Sequence, residues 1–171
     1  SIHVGQTNDL TTKLLKKIKT RMKTLRVGDP LDRSIDIGAI VDPAQKVRIS
    51  KLLSDNPNGE IYQITDCIPE TGCYFPPTLI SGLGTADTLM QEEIFGPVLV
   101  TTTFRTPNEA AKLANDTRYG LAASIWSENV NLCLGLAPKI KAGVVWVNGT
   151  NMFDASAGFG GMRESGFGRE G

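Results

Sequence analysis

The sequence is poor in the residues that most often build metal centres and catalytic triads. It has one histidine, His3, close to its first residue. Its three cysteines, Cys67, Cys73 and Cys133, are scattered in a way that matches neither a metal-ligand spacing nor a disulfide framework. A single terminal histidine leaves no Ser-His-Asp or Cys-His arrangement to assemble. We therefore predict no metal site, and we interpret the cysteines as reduced thiols of a cytoplasmic protein.

An excess of basic charge is also absent, because 18 lysines and arginines balance 18 acidic residues. Nucleic-acid binding normally needs a clustered basic excess, so we predict no nucleic-acid partner. One basic cluster does run from Lys13 to Arg26 on a predicted helix. This cluster could contact a membrane or a nucleic acid, but the zero net charge of the chain favours a solvent-exposed outer face of the helix. No apolar run approaches the roughly 18 residues that span a bilayer, and the start has no signal-peptide pattern, so we predict no transmembrane segment.

The length of 171 residues is typical of one domain, and 40% hydrophobic residues suffice for a core. We therefore predict that residues 1–171 form a single α/β domain. The chain begins at Ser1 without a methionine and stops at Gly171 just after a glycine-rich run. We expect both ends to continue in a larger parent protein.

The first half predicts two helices and two short strands. Apolar residues recur at three- and four-residue steps over 8–25, which predicts a helix capped by Thr7 or Asn8, with Gly28 just past its end. Asp42 and Pro43 supply a cap and a first-turn proline for a second helix through about residue 53. Short strands are predicted at 60–64 and 78–80, and the Gly-Leu-Gly at 82–84 is interpreted as a turn rather than a phosphate loop.

The second half alternates strands and helices. Strands are predicted at 98–104, 121–126 and 144–147. A capping box at Thr106 and Glu109 begins one helix, which runs to about Asp116, and Ser127 is predicted to cap the next, which Pro138 should end or kink. Short connections between these elements predict a parallel, right-handed βαβαβ unit. The fold class is therefore α/β, with an open, mainly parallel twisted sheet and covering helices.

Two stretches are candidates for a binding site. Glu93 and Phe95 lie two residues apart before a Gly-Pro step and a strand. The carboxylate could accept hydrogen bonds from a sugar diol while the ring packs beside the ligand. The alternative is a solvated Glu93 next to a core Phe95, which the spacing alone favours because short motifs often occur by chance. The glycine-rich residues 158–170 follow the last strand, where ligands bind in parallel sheets, and they are either a binding loop or a flexible tail.

Seven segments of the chain resemble the aldehyde dehydrogenase superfamily, in the right order and at the right spacing. They are Leu25–Pro30, Gly38–Val41, Gly72–Thr78, Glu92–Pro97, Asn115–Ala122, Lys141–Asn148 and Phe159–Gly161 continuing through Ser165–Gly166. The residues of these segments most resemble those of the sixteenth family, whose members carry tandem dehydrogenase modules. Essentially the whole chain is covered by this resemblance.

The resemblance implies a reaction and roles for five residues. In the family, a cysteine thiolate attacks an aldehyde, hydride passes to NAD or NADP, and a glutamate base helps water to hydrolyse the thioester. By motif match, Glu93 would hydrogen-bond the nicotinamide ribose and Phe95 would pack near the nicotinamide. Phe153 and Phe159 fall where the family lines its substrate tunnel, and Asn148 would fix the loop before the tunnel.

The resemblance also implies that the catalytic residues lie outside this chain. The family's nucleophile, base, oxyanion-hole asparagine and dinucleotide-binding domain would all precede Ser1, and an oligomerisation strand would follow Gly171. We therefore expect no catalytic residue here, no activity of the isolated chain, and a homo-oligomeric parent. The alternative is a parent that acts as a non-catalytic scaffold or interaction module. Two departures from the family pattern are Gly158, where proline is common, and Pro138, inside a helix that is usually continuous.

Overall fold

The computed structural model describes residues 2–6, 9–66 and 68–170, with side chains from residue 9 onward. The predicted cap residues Thr7 and Asn8, and Cys67, lie outside the described residues. The contacts of the chain divide into two compact units, residues 1–103 and 104–171, and each is described by itself. The prediction of one domain therefore stays a prediction.

The first unit is built on a four-stranded sheet with helices in the connections. Its elements are β1 (Ile2–Gln6), α1 (Asp9–Met22), α2 (Pro43–Asp55), β2 (Glu60–Gln63), β3 (Thr78–Ser81), α3 (Thr88–Gln91) and β4 (Val98–Phe104). The strand order is β1-β4-β3-β2, with β3 and β4 parallel and β2 and β3 antiparallel. In register, Leu79 lies opposite Leu99 and Ile80 opposite Val100.

The core of the first unit lies between α2, the sheet and the segment that precedes β4. Its buried residues are Ile49, Leu53, Phe75, Ile80, Leu83, Leu89, Met90, Ile94, Val98 and Val100. Ile49 on α2 and Ile80 on β3 are both 0% exposed. Burying each such side chain stabilises the fold by roughly 1.5–3 kcal/mol, so the core cluster that contains both residues holds α2 on the sheet.

Helix α1 ends three residues earlier than the sequence predicts. Backbone bonds from Thr24 to Arg21 O (3.0 Å) and from Leu25 to Met22 O (3.1 Å) form a tighter turn instead of a further helical turn. The Thr24 hydroxyl also donates to Arg21 O at 2.9 Å. Threonine hydroxyls compete in this way with the helical backbone pattern, which explains the early end.

The predicted start of α2 is confirmed. The Asp42 carboxylate accepts a hydrogen bond from the Gln45 amide at 2.6 Å, and Pro43 is the first helical residue. The helix continues to Asp55, two residues beyond the expected end. The cap therefore fixes where the side chains of the first helical turn project.

The second unit contains α4 (Pro107–Asn115), β5 (Ala122–Ile125), α5 (Val130–Leu136) and β6 (Val144–Val147). Short 3-10 turns lie at Ala137–Lys139 and Arg163–Ser165. Strands β5 and β6 are parallel, with Ala122 opposite Val144 and Ile125 opposite Val147. The β5–α5–β6 part of the predicted unit is therefore confirmed, as is the α/β class.

The predicted βαβαβ unit is corrected at its first strand, because β4 pairs with β3 and not with β5. Strand β3 presents the fully buried Ile80 beside the buried Val98 and Val100 of β4, and its fully buried Leu79 lies opposite Leu99. Strand β5 has half-exposed and exposed residues throughout. In the strand order, β3 lies on one side of β4 and β1 on the other, so both edges of β4 are paired within the first unit.

The helix boundaries of the second unit agree partly with the sequence. The Thr106 hydroxyl accepts the Glu109 amide at 3.2 Å, and the Glu109 carboxylate accepts the Arg105 amide at 2.7 Å, which confirms the cap of α4. The predicted cap of α5 by Ser127 is wrong, because Asn129 accepts the Leu132 amide at 3.0 Å instead. Helix α5 gives way to the 3-10 turn that contains Pro138, as predicted.

None of the helices in the described part of the chain is long and apolar enough to cross a membrane.

Candidate functional site

Phe95 lies in a turn whose backbone is held in an uncommon conformation. Its φ is 57°, in the left-handed region that side chains other than glycine seldom adopt. Such a residue costs on the order of 1–3 kcal/mol and persists only where its surroundings hold it, often at functional sites. The neighbouring Ile94 is 6% exposed and belongs to the core, so the turn is anchored next to its strained residue.

Helix α2 holds this turn through the backbone carbonyls of three consecutive residues. The Gln45 side-chain amide donates to Ile94 O at 2.8 Å and to Phe95 O at 3.1 Å. The Arg48 guanidinium donates to Ile94 O at 3.2 Å and to Glu93 O at 3.0 Å. The sequence analysis missed Gln45 and Arg48, since nothing in their spacing shows that they reach a segment more than 40 residues away.

The side chains of Glu93 and Phe95 remain free while their backbone is fixed. Glu93 is exposed, and its carboxylate has no hydrogen bond or ion pair within the described residues. The Phe95 side chain is 66% exposed, so the alternative of a core phenylalanine is wrong. A fixed backbone that presents a free carboxylate and an open ring is suited to hold a ligand with hydroxyl groups and a flat ring.

Asn148 connects the ends of the two strands of the second unit. It follows β6 with a φ of 52°, and its side chain accepts from the Ser127 amide at 2.9 Å and donates to Ser127 O at 3.0 Å. Its own amide donates to Ile125 O at 2.8 Å. These bonds hold together the loops that follow β5 and β6.

Three aromatic rings cluster at the end of β6 and in the segment that follows it. Trp146 and Phe153 meet edge to face with centroids 5.5 Å apart, and Phe153 and Phe159 meet likewise at 5.0 Å. The Trp146 indole donates to Met152 O at 3.1 Å, which holds the loop near the rings. The structure therefore brings together Phe153 and Phe159, the two predicted tunnel residues. Trp146 is a third member that the sequence analysis did not assign, and its position at the end of β6 was the available signal.

The glycine-rich segment folds back on its own unit and is not a free tail. Phe159 and Glu170 exchange backbone hydrogen bonds of 2.7 and 2.9 Å. The Arg169 guanidinium donates to Gly143 O at 3.0 Å and to Gly158 O at 3.3 Å. This bonding fixes the segment that carries Phe159.

Asp154, beside the aromatic cluster, is held in its charged form. The Ser156 hydroxyl donates to its carboxylate at 2.6 Å and the Ser156 amide donates at 2.8 Å. The hydroxyl bond, followed by the amide bond, lowers the pKa of Asp154 below its ordinary value of 3.8. The residue that follows the exposed Phe153 in sequence therefore carries a negative charge at neutral pH.

The cysteines that the structure describes lie outside both clusters. Cys133 is fully buried on α5, and Cys73 is half-buried in a loop of the first unit. In the described ranges, no group of three or more histidine, cysteine or acidic side chains could hold a metal ion.

The fold is of the α/β class, with parallel strand pairs in both units, and the family follows from direct comparison. Residues 6–171 match the model of the aldehyde dehydrogenase family, and the chain belongs to that family. It is 40% identical over 155 residues to aminoacetaldehyde dehydrogenase of Pseudomonas aeruginosa, a match that covers 91% of this chain and 31% of the relative. It is 38% identical to aldehyde dehydrogenase B of Escherichia coli, which covers 92% of this chain and 32% of the relative.

Solved structures agree with this assignment. A betaine aldehyde dehydrogenase from Staphylococcus aureus in complex with NAD+ superposes with a TM-score of 0.91 at 32% identity, over 99% of this chain and 36% of that one. An NAD-dependent aldehyde dehydrogenase from Sinorhizobium meliloti gives a TM-score of 0.91 at 32% identity, over 99% of this chain and 34% of that one. The chain thus spans about a third of the length of the relatives it matches.

Proposed function

We propose that this chain is the catalytic-domain segment of an NAD- or NADP-dependent aldehyde dehydrogenase that oxidises an aldehyde to a carboxylic acid. The observation that carries the proposal is the turn at Glu93 and Phe95, whose backbone is fixed while both side chains stay free. The assigned family and the NAD+ complex of a related structure support it.

The residues of the turn fit the nicotinamide half of the cofactor. The exposed Glu93 carboxylate, which has no partner among the described residues, can accept hydrogen bonds from the two ribose hydroxyls, and the exposed Phe95 ring can pack beside the nicotinamide. The bound cofactor would supply the hydride acceptor. The role of this chain's own residues is to bind and orient the cofactor. Correct orientation of a reactant by itself lowers the activation free energy of the reaction.

The second unit would form the wall of the aldehyde site. Phe153 and Phe159 pack edge to face and offer an apolar surface for the substrate's carbon chain. The bonds from Asn148 to Ser127 would hold the loop that precedes this surface. In this proposal Asn148 has a structural role rather than a chemical one.

The chemistry of bond formation belongs to residues that this chain does not contribute. The family's mechanism needs a cysteine thiolate, whereas Cys133 is fully buried and Cys73 lies in a loop away from the Glu93 turn in sequence. We therefore propose that the isolated chain has no dehydrogenase activity. The parent protein would be a cytoplasmic homo-oligomer, as predicted from the sequence, and would belong to the sixteenth family.

The test compares the isolated chain with the parent protein. Both are purified and supplied with short aliphatic aldehydes and with NAD or NADP, and the absorbance of the reduced cofactor is followed. We expect reduction with the parent protein and none with the isolated chain. Aldehyde-dependent reduction by the isolated chain would overturn the assignment of catalysis to residues outside it.

A scaffold function is the second candidate, and one observation favours it. Several large apolar side chains of the described residues are almost fully exposed, among them Phe167 at 102%, Leu31 at 90% and Val41 at 77%. A scaffold would use such side chains where they lie together as one apolar patch. A folded parent protein that reduces neither cofactor with any aldehyde would support the scaffold and contradict the enzyme.

A further inference from the structure

We infer that Gln45 and Arg48 are positioning residues that set the geometry of the cofactor-binding turn through its backbone. This inference rests on the proposed function for the identity of the ligand, but its structural part concerns the described chain alone. Both side chains donate to the carbonyl groups of Glu93, Ile94 and Phe95, and neither acts here through a side chain of the turn.

The turn depends on these donors because its own backbone does not satisfy its carbonyls. The Glu92 amide bonds back to Thr88 O at 2.8 Å, and the Val98 amide bonds to Gly96 O at 2.7 Å. Between these two bonds, the carbonyls of residues 93–95 accept side-chain donors from α2. Backbone carbonyls near a core need hydrogen-bond partners. Without the donors of Gln45 and Arg48, this turn conformation is therefore no longer favoured.

The donors come from a rigid platform. Gln45 and Arg48 are three residues apart and therefore lie on the same face of α2. Asp42 caps the helix just before Gln45, and Ile49, just after Arg48, is fully buried. Because α2 is fixed on both sides of Gln45 and Arg48, their hydrogen bonds hold the turn in a defined position relative to the helix.

Arginine suits the second position better than lysine. Its guanidinium reaches two successive carbonyls through two separate nitrogens, Nη1 to Ile94 O and Nη2 to Glu93 O. A lysine ammonium carries the same charge at a single point and cannot reproduce this fork. Geometry, and not charge, is therefore the property that Arg48 contributes.

The first experiment needs no cofactor. Backbone chemical shifts of Phe95 are measured by NMR in the isolated chain, in Arg48→Lys, in Arg48→Met and in the Gln45→Met/Arg48→Met double variant. We expect left-handed shifts in the wild type, a partial loss in Arg48→Lys and their loss in the double variant. Lys51→Met is the matched control, since it removes a positive charge from the same helix without touching the turn. Left-handed shifts that persist in a folded double variant would overturn the inference.

The second experiment measures steady-state kinetics in the parent protein. A displaced turn should raise KM for NAD by up to about tenfold in Arg48→Met, because Arg48 acts through the turn and the effect cannot exceed loss of the Glu93 carboxylate itself. KM for the aldehyde should stay within about twofold, because its wall lies in other residues. If Arg48 only stabilised the fold, Arg48→Met would lower the folded fraction and leave KM for NAD unchanged. That result would contradict the inference.

A double-mutant cycle separates positioning from other effects. In a Glu93→Gln background the Arg48→Met change should cost less than about twofold in KM for NAD, because it acts through the residue already removed. Equal effects in both backgrounds would overturn the positioning role. If the wild-type parent protein uses neither NAD nor NADP, the proposed function and the cofactor part of this inference both fail, and the NMR result alone decides whether Gln45 and Arg48 set the turn.

Discussion

Gly96→Ala should push the turn at residues 93–96 away from α2. A β-carbon built at Gly96 would lie 2.5 Å from Cδ1 of Ile49, a side chain that is 0% exposed. Carbon atoms in contact normally lie about 3.5–4.0 Å apart, so one partner must move by roughly 1–1.5 Å. The backbone of Gly96 is not in the left-handed region, so the conflict is one of space alone.

The expected cost follows from the tightness of the core around Ile49. Adding a methyl group to a well-packed core destabilises by about 1–3 kcal/mol. The lower entropy of the unfolded alanine chain offsets about 0.4–1 kcal/mol of this cost. We therefore expect the free energy of unfolding to fall by about 1–2 kcal/mol, which corresponds to a Tm lower by roughly 2–8 °C for a chain of this size.

Thermal unfolding of the isolated chain, followed by circular dichroism, measures this change. In an Ile49→Val background the offending Cδ1 atom is absent, so Gly96→Ala should cost about 1 kcal/mol less than in the wild type. Gly135→Ala is the control, since a β-carbon there meets nothing within 4 Å and should stabilise helix α5 by about 0.5–1 kcal/mol. A stabilising Gly96→Ala, or equal costs in both backgrounds, would refute the reasoning.

Two further predictions concern stability. Asn148→Ala loses both hydrogen bonds to Ser127 and places alanine at a φ of 52°, so we expect a loss of about 1–3 kcal/mol in thermal unfolding, and a smaller loss for Asn148→Gly. The amide of Arg26, as the largest cause, lowers the pKa of Asp36 below 3.8. The stabilisation by the charged Asp36 carboxylate is therefore present above pH 3.8 and is lost as the pH falls through the lower pKa of the folded protein. Asp36→Asn should therefore flatten the decline of Tm below about pH 4. An unchanged Tm for Asn148→Ala, or parallel pH profiles for Asp36→Asn and wild type, would count against these assignments.

The sequence predicts the elements of the fold better than their partners. Local signals suffice for the caps at Asp42 and Thr106, because a side chain and a nearby amide decide each one. The pairing of β4 with β3 depends on buried surface far apart in the chain, which local periodicity does not show. The choice of Asn129 over Ser127 as a cap is a competition between two suitable residues two positions apart, which the order of residues alone cannot decide.

The candidate site shows the same difference between local sequence signals, which can be predicted, and long-range contacts, which cannot. A motif match locates Glu93, Phe95, Phe153 and Phe159, and the structure brings the last two into contact. The left-handed φ of Phe95 has no local sequence signal, since aromatic residues rarely adopt it. Long-range hydrogen bonds from α2 hold that conformation, and their donors become visible only when the fold joins the two segments.

The most direct test of the central claim is the KM for NAD of Glu93→Gln in the parent protein. Glutamine keeps the size of the side chain but replaces the free carboxylate, so charge-assisted hydrogen bonds to the ribose hydroxyls are lost. We predict a KM for NAD raised about tenfold, with KM for the aldehyde unchanged within about twofold. An unchanged KM for NAD in a folded, active Glu93→Gln protein would contradict the assignment of this turn to the cofactor.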